Sequence, residues 1–369
     1  MNFSPTQRSA IQHISGNLQL IACAGSGKTE VVAQRVVSLL RPVASGGAGC
    51  TPENIVAFTF TDKAAAELKE RIHTRCKQQL GTITGLANMY VGTIHGYCLD
   101  LLKSEVPEYM KYEVLNEVQQ TLFIDRHSKS SGLTQSVTLD GTVLKRFTDT
   151  KHFVACLGIL REDEAADASK LSGNSVLARL PDYETLLHQK GYLDYSGILK
   201  EAVHQLKHNS QLRARLAEKI KHVIVDEYQD VNPIQESVVR TLHDLGAGSC
   251  VVGDDDQTIY QWRGSDVQNI LNFKTRYPAV QQVRLEENFR SSEGVVTVAR
   301  EFIKQLLRRL PKEMKATQAQ DYEAGDIVAM TFDAPEDEAE YIAQTCQALR
   351  GVACRDDEVQ RGMSWSDMA

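Results

Sequence analysis

The sequence contains no C-x-x-C pair; its eight cysteines (Cys23, Cys50, Cys76, Cys98, Cys156, Cys250, Cys346 and Cys354) are scattered along the chain. That spacing argues against a zinc site and a disulfide framework, so reduced thiols and no structural metal are expected. Nor is positive charge in excess. The formal net charge is −7, so there is no global basic footprint, and any nucleic-acid surface has to be a local groove. No apolar run approaches the ~20 residues that span a bilayer, and no charged-then-apolar leader opens the chain. The expectation is a cytoplasmic protein without a membrane partner. Repeats of solenoid length are missing, and low complexity is confined to the ASGGAG loop at 44–49.

What is present is an alternation of short buried segments and helix-like stretches, in a chain of 369 residues that is long enough for two or more cores. LQLIA (18–22) and NIVAFTF (54–60) each precede a helical pattern, VVAQRVVSLL (31–40) and KAAAELKERI (63–72). HVIVDE (222–227) and SCVVGD (249–254) are too short and too β-branched for helices and read as buried parallel strands. The expected fold is therefore α/β, a doubly wound parallel P-loop (RecA-like) sheet in two parts, 1–96 and 216–285. A mainly helical insertion over 97–215 separates the parts. Residues 286–369 read as the start of a second, incomplete α/β domain, with a strand at IVAMTF (327–332) and a helix capped by Asp333 and opened by Pro335.

IACAGSGKTE (21–30) follows a buried strand and precedes a helix, the setting that gives a phosphate loop its mechanism. The backbone of Ala24, Gly25, Ser26 and Gly27 can wrap phosphate oxygens, Lys28 can reach the β- and γ-phosphates, and Thr29 can offer a hydroxyl to magnesium. The first glycine of G-x-x-x-x-G-K-T is Ala22 here, which leaves a chance glycine turn before a helix as the rival, and the strand-loop-helix setting outweighs it. VIVDEYQD (223–230) ends a second strand in two carboxylates. Asp226 suits magnesium coordination and Glu227 suits polarisation of the attacking water; either alone would read as a solvated acidic turn. GDDDQTIYQWRG (253–264) offers Gln257 as a sensor of the γ-phosphate, and Trp262 beside Arg263 as a base-stacking platform. Most tryptophans are core; the polar neighbours of Trp262 favour partial exposure.

In order along the chain, NFSPTQRSAI, ACAGSGKT, AFTFTDKAAAELKERI, GTIHGYCLDLL, DYSGIL, VIVDEYQDVNPIQ, VVGDDDQTIYQWRGSD and RLEENFRS resemble the successive signatures of UvrD/Rep/PcrA-type superfamily 1 DNA helicases. The resemblance covers most of the chain. It implies an ATP- and Mg2+-dependent enzyme moving 3′ to 5′ on single-stranded DNA, or on duplex with a 3′ single-stranded tail. It implies that Gln7 recognises adenine, that Arg35 lies near the base, that Phe289 stacks near adenine, and that Arg290 is an arginine finger on the γ-phosphate. Phe60, Thr61, Thr93, His95 and Trp262 would face the DNA strand. Periodicity alone places Phe60 in the core about as readily, and His95 and Gln7 taken singly are ordinary surface residues.

Two positions depart from the pattern: Cys23 and Asp62 stand where such helicases often carry Gly and Asn. Cys23 would tighten the loop or sensitise it to thiol reagents, and Asp62 would put negative charge near the DNA groove. The carboxyl-terminal motifs of the family are expected to lie beyond this chain. Three rivals follow: an ATP- and DNA-binding module that needs a partner chain for the other lobe, a nucleotide-dependent nuclease, and a P-loop ATPase acting on protein or small molecules. The last leaves FTFTDKAA, GTIHG and QWRG unexplained.

Overall fold

The structure, a computed structural model, describes residues 3–81, 84–162, 173, 175–317, 322, 327–356 and 359–368. The chain divides into two units, Met1–Asp321 and Tyr322–Ala369.

The first unit begins with α1 (Pro5–Gln12), β1 (Asn17–Ala22), α2 (Lys28–Leu40), β2 (Ile55–Thr59), α3 (Asp62–Leu80) and β3 (Tyr90–Thr93). There follow α4 (Ile94–Glu105), β4 (Glu113–Val114), α5 (Glu117–Arg126), α6 (Thr150–Glu162), α7 (Ser175–Lys190), β5 (Tyr192–Leu193), α8 (Tyr195–His208) and α9 (Ser210–Lys219). The chain then returns to β6 (His222–Val225), α10 (Pro233–Asp244), β7 (Gly248–Gly253), α11 (Gln268–Leu271), α12 (Phe273–Arg276) and β8 (Val280–Leu285). Last come β9 (Glu287–Asn288), α13 (Glu293–Ile303) and β10 (Lys315–Ala316).

Six of these strands form one parallel sheet in the order β3-β2-β6-β7-β1-β8. Side chains alternate between its faces, and both faces are covered. Ile21, Val56, Phe58, Val223, Val225 and Val251 point into a core shared with α4, α8, α9 and α10. Leu20, Ala57, Ile224, Cys250, Val252 and Val283 point into a second core under α1, α2 and α3. Helix α2 is enclosed: every residue from Val31 to Leu40 is buried. The stretch between β3 and β6 carries its own core, built on Phe123, Phe153, Leu157, Tyr183 and Leu187, with β4 and β5 paired parallel at its base.

The second unit holds α14 (Pro335–Leu349) and a hairpin of β11 (Ala353–Asp356) and β12 (Val359–Gly362). Two expectations fail here. Residues 327–332 form no strand: an apolar run becomes a strand only with a ladder partner, and this segment is unpaired in the structure. The helix is capped by Ala334 with no side-chain bond, and Asp333 stands one residue outside it, while Pro335 does occupy the first turn.

Candidate functional site

The loop between β1 and α2 is a cradle of backbone donors. Gly25 and Gly27 have φ of +67° and +78°, a region that costs L-residues energy and glycine little. Gly27 caps α2 without any side-chain bond, leaving the first N–H groups of the helix open. Ser26 Oγ is buried with no partner. At the centre Lys28 Nζ donates to Glu227 Oε1 and Oε2 at 3.2 and 3.0 Å.

Asp226 and Glu227 reach that lysine because the chain turns as β6 ends. Glu227 sits in the left-handed region at φ 51°, and its N–H donates to Asp226 Oδ1 at 3.0 Å. Asp226 is buried, and its carboxyl is pushed up to about 6 by burial first and then by Glu227. Asp230, under the same two influences, also lies near 6 and keeps one oxygen without a partner. The buried carboxylates at the end of β6, the open start of α2 with its partly exposed Thr29, and the unpartnered Ser26 hydroxyl have the donor chemistry of a magnesium–polyphosphate site. Among the described residues Lys28 is the cation in direct contact with this Asp226–Glu227 corner.

Around the loop, Gln7 spends both ends of its amide: Oε1 accepts from Ser4 N–H at 3.0 Å and Nε2 donates to the Ser26 carbonyl at 3.1 Å. Phe289 N–H donates to the Gly25 carbonyl at 2.9 Å, and the Phe289 ring is exposed. Arg290 stands beside Gly25, its N–H held by Asn288 Oδ1 at 2.8 Å and its side chain exposed. Gln257, at the end of β7, donates to Asp254 Oδ2 at 2.6 Å.

Two expectations about this side are corrected. Arg35 is not at the crevice: it is 1% exposed, with Nη1 reaching the Ala10 carbonyl at 3.4 Å and Nε unpartnered. It lies on the enclosed stretch of α2, where no base can approach. Cys23 is no reactive thiol either, because burial, then the charge of Asp254, pushes it up to about 12.

The proposed DNA residues gather at the carboxyl ends of β2, β3 and β7. Phe60 stacks on Tyr260 with ring centroids 5.0 Å apart, and Trp262 is 74% exposed on the turn that follows. The Arg263 side chain lies outside the described residues. Thr61 and Thr93 are helix caps, accepting from Ala64 N–H and Gly96 N–H, each at 3.1 Å. His95 packs on exposed Tyr195 at 5.8 Å and is lowered to about 4 by burial, so it is neutral at pH 7. Asp62 opens α3, where the helix dipole favours its charge. Phe60, Thr93, His95, Asp226, Glu227 and Gln235 line one small cleft.

Sequence reasoning missed Tyr260, Tyr195, Asn288 and Gln229. The first two lie inside quoted segments, QTIYQWRG and DYSGIL, but neither stands next to a cation as Trp262 does beside Arg263. Asn288 and Gln229 act through bonds to backbone and carboxylate, which leave no periodic trace.

Residues 3–278 match the family model described as UvrD/REP helicase N-terminal domain. ATP-dependent DNA helicase UvrD1 of Mycobacterium leprae is 33% identical over 368 residues, 94% of this chain and 45% of that protein. PcrA helicases of Bacillus subtilis and Staphylococcus epidermidis are 31% and 30% identical, over 84% and 93% of this chain and 40% and 45% of theirs. The chain thus spans about half the length of the curated relatives it matches. A solved Pif1 helicase from Candida albicans aligns with 96% of this chain and 56% of its own at 9% identity, with a TM-score of 0.34, too loose to carry an argument.

Proposed function

The chain belongs to the UvrD/REP helicase N-terminal domain family, and from that premise we propose that it is the nucleotide-binding part of a cytoplasmic ATP-dependent DNA helicase moving 3′ to 5′ on single strands. Residues 1–96 and 216–285 form its P-loop domain, 97–215 an inserted helical subdomain, and 286–369 the opening of a second lobe. The observation that carries this is the Lys28–Glu227 pair at the ends of β1 and β6, with the half-buried Phe60–Tyr260 stack and exposed Trp262 following the neighbouring strands β2 and β7.

In this reading the loop Ala24–Gly27 and the start of α2 hold the phosphates, Gln7 and Phe289 flank the adenine, and Arg290 and Gln257 address the γ-phosphate. Thr29 and Asp226 would hold magnesium, which when bound neutralises phosphate charge. Lys28 exchanges its bond to Glu227 for a bond to phosphate, and Glu227 is then free to orient water. Phe60, Tyr260 and Trp262 stack bases, His95, Thr61 and Thr93 lie along the same strand ends, and Arg263 would add charge to the strand's phosphates.

A second reading is favoured by the coverage of about half of each relative: an ATP- and DNA-binding module that unwinds only with a further lobe, in this or a partner chain. Both readings are tested together. Lys28→Ala should lose Mg·ATP affinity by calorimetry, whereas Glu227→Gln should keep it and lose hydrolysis by roughly 10²–10⁴-fold with oligo(dT) present. Tyr260→Ala should weaken oligo(dT) binding by about 1–3 kcal/mol. Equal ATP affinity in Lys28→Ala and parent overturns the site. Unwinding of a 3′-tailed duplex by the isolated chain separates the helicase from the module.

A further inference from the structure

Strand β7 runs out into three consecutive carboxylates, Asp254, Asp255 and Asp256, whose oxygens lie within 4.8 Å of one another. The space between them is filled by a side chain. Lys312 Nζ lies 2.8 Å from Asp254 Oδ1 and 3.2 Å from Asp256 Oδ2, and it also contacts Asp255 Oδ1. The Lys312 side chain is 0% exposed. Burial alone disfavours its charge, yet Asp254 and Asp255 hold its pKa above the ordinary lysine value. Arg309 closes the rim with two bonds to Asp256, at 2.9 and 2.6 Å, and Leu310 N–H donates to Asp255 Oδ2 at 2.7 Å.

Asp254 is the junction. One of its oxygens receives Lys312, and the other receives Gln257 Nε2 at 2.6 Å. Its N–H donates to Gln229 Oε1 at 3.0 Å, and Gln229 Nε2 donates to Glu227 Oε2 at 2.9 Å. Glu227 in turn holds Lys28. A continuous polar chain therefore runs from Lys312 through Asp254 to Gln257 on one branch and to Glu227 and Lys28 on the other. The path is tight: a Cβ on Gly253 would lie 2.4 Å from Gln229 Oε1.

We propose that Lys312 is a positioning residue, an internal cation that fixes Asp254 so that the Gln257 amide and, through Gln229, the Glu227 carboxylate move with the nucleotide as one unit. This rests on the ATP-site reading given above. Without Lys312, Asp254 faces the carboxylates of Asp255 and Asp256 within 4.8 Å and loses the cation that fixes the orientation holding Gln257. Among the described residues the Arg309 guanidinium hydrogen-bonds Asp256 and not Asp254, so its loss removes an ion pair and leaves the junction intact.

The chain has two tryptophans, so a Trp365→Phe background leaves Trp262, on the turn after Gln257, as the sole reporter. In the nucleotide-free chain, Lys312→Met should make amides 255–258 exchange about tenfold faster or more, with Arg309→Ala unchanged. With Mg·ATP, Lys312→Met should bind within about threefold of parent, lose the Trp262 emission change and lower kcat; Lys312→Arg should restore most of both. If Lys312→Met fails to fold, the charge-balanced Lys312→Gln/Asp255→Asn chain takes its place with the same expectations. Parent-like exchange at 255–258 in the lysine variant overturns the proposal, as does an equal effect of Arg309→Ala. A parent chain that binds no Mg·ATP defeats the ATP-site reading instead, and the nucleotide-free exchange still decides whether Lys312 holds the turn.

Discussion

Replacing Gly25 by alanine sets a methyl group where the structure has no room for one. A Cβ there would lie 2.6 Å from Asn288 Oδ1 and 2.9 Å from Arg290 Cβ, on a backbone at φ +67°. The left-handed conformation costs an L-residue roughly 1–2 kcal/mol. Asn288 must also move, and its Oδ1 accepts from Arg290 and Ser291 N–H, both at 2.8 Å; two such bonds are worth about 2 kcal/mol net. The sum is about 3–4 kcal/mol, which for a unit of this size lowers Tm by about 5 °C. Gly16 is the control: it has φ +74° with nothing within 4 Å of an added Cβ, so Gly16→Ala bears the backbone term alone, about 2 °C. Calorimetric melting of both variants, with Mg·ATP titration of each, separates strain from contact. Gly25→Ala should also lose ATP affinity, since Asn288 carries Arg290. If the two variants melt together and bind ATP alike, the reasoning about Asn288 is wrong.

Arg35→Met should raise stability by about 1–3 kcal/mol, because the guanidinium is buried without an ion pair among the described residues and methionine keeps the stem. A thermal melt reads the gain, and a loss of ATP affinity in a folded Arg35→Met chain would return this residue to the nucleotide. His222 is lowered to about 4 by burial and then by Arg35. A depressed folded pKa gives stability that is present above the unfolded value near 6.5 and lost as pH falls through 4. His222→Leu should therefore shrink the loss of Tm between pH 7 and pH 4.5, and an unchanged acid limb would refute the assignment.

The strands legible in the sequence were those buried on both faces. LQLIA, NIVAFTF, HVIVDE and SCVVGD, the four interior strands, are short apolar runs because neither side can face water. The two edge strands, Tyr90–Thr93 and Val280–Leu285, went unread: the first is half-buried throughout, and the second has only Val283 and Leu285 buried, with Gln281 and Arg284 in contact with solvent. In the site, residues whose chemistry follows from a loop or strand end were legible, among them Lys28, Asp226 and Glu227. Arg35 was placed near the base by resemblance alone, and only tertiary structure shows that α1, α3 and the sheet enclose α2. Lys312 and Asp254 are joined by a contact between distant segments, which no local pattern records.

The place of β1 in the sheet has a consequence for synthesis. The strand that carries the phosphate loop leaves the ribosome early, yet its two neighbours are Gly248–Gly253 and Val280–Leu285. At about 5–20 residues per second, β1 waits on the order of ten seconds or more without a ladder partner, its apolar face a target for wrong pairing or a chaperone. β2 can already align with β3, its successor in the sequence. A nascent chain that ends before Gly248 offers β1 neither neighbour, and one that ends between Gly253 and Val280 offers it β7 alone, so the strand that carries the loop is framed on both sides only when the whole sheet has been made.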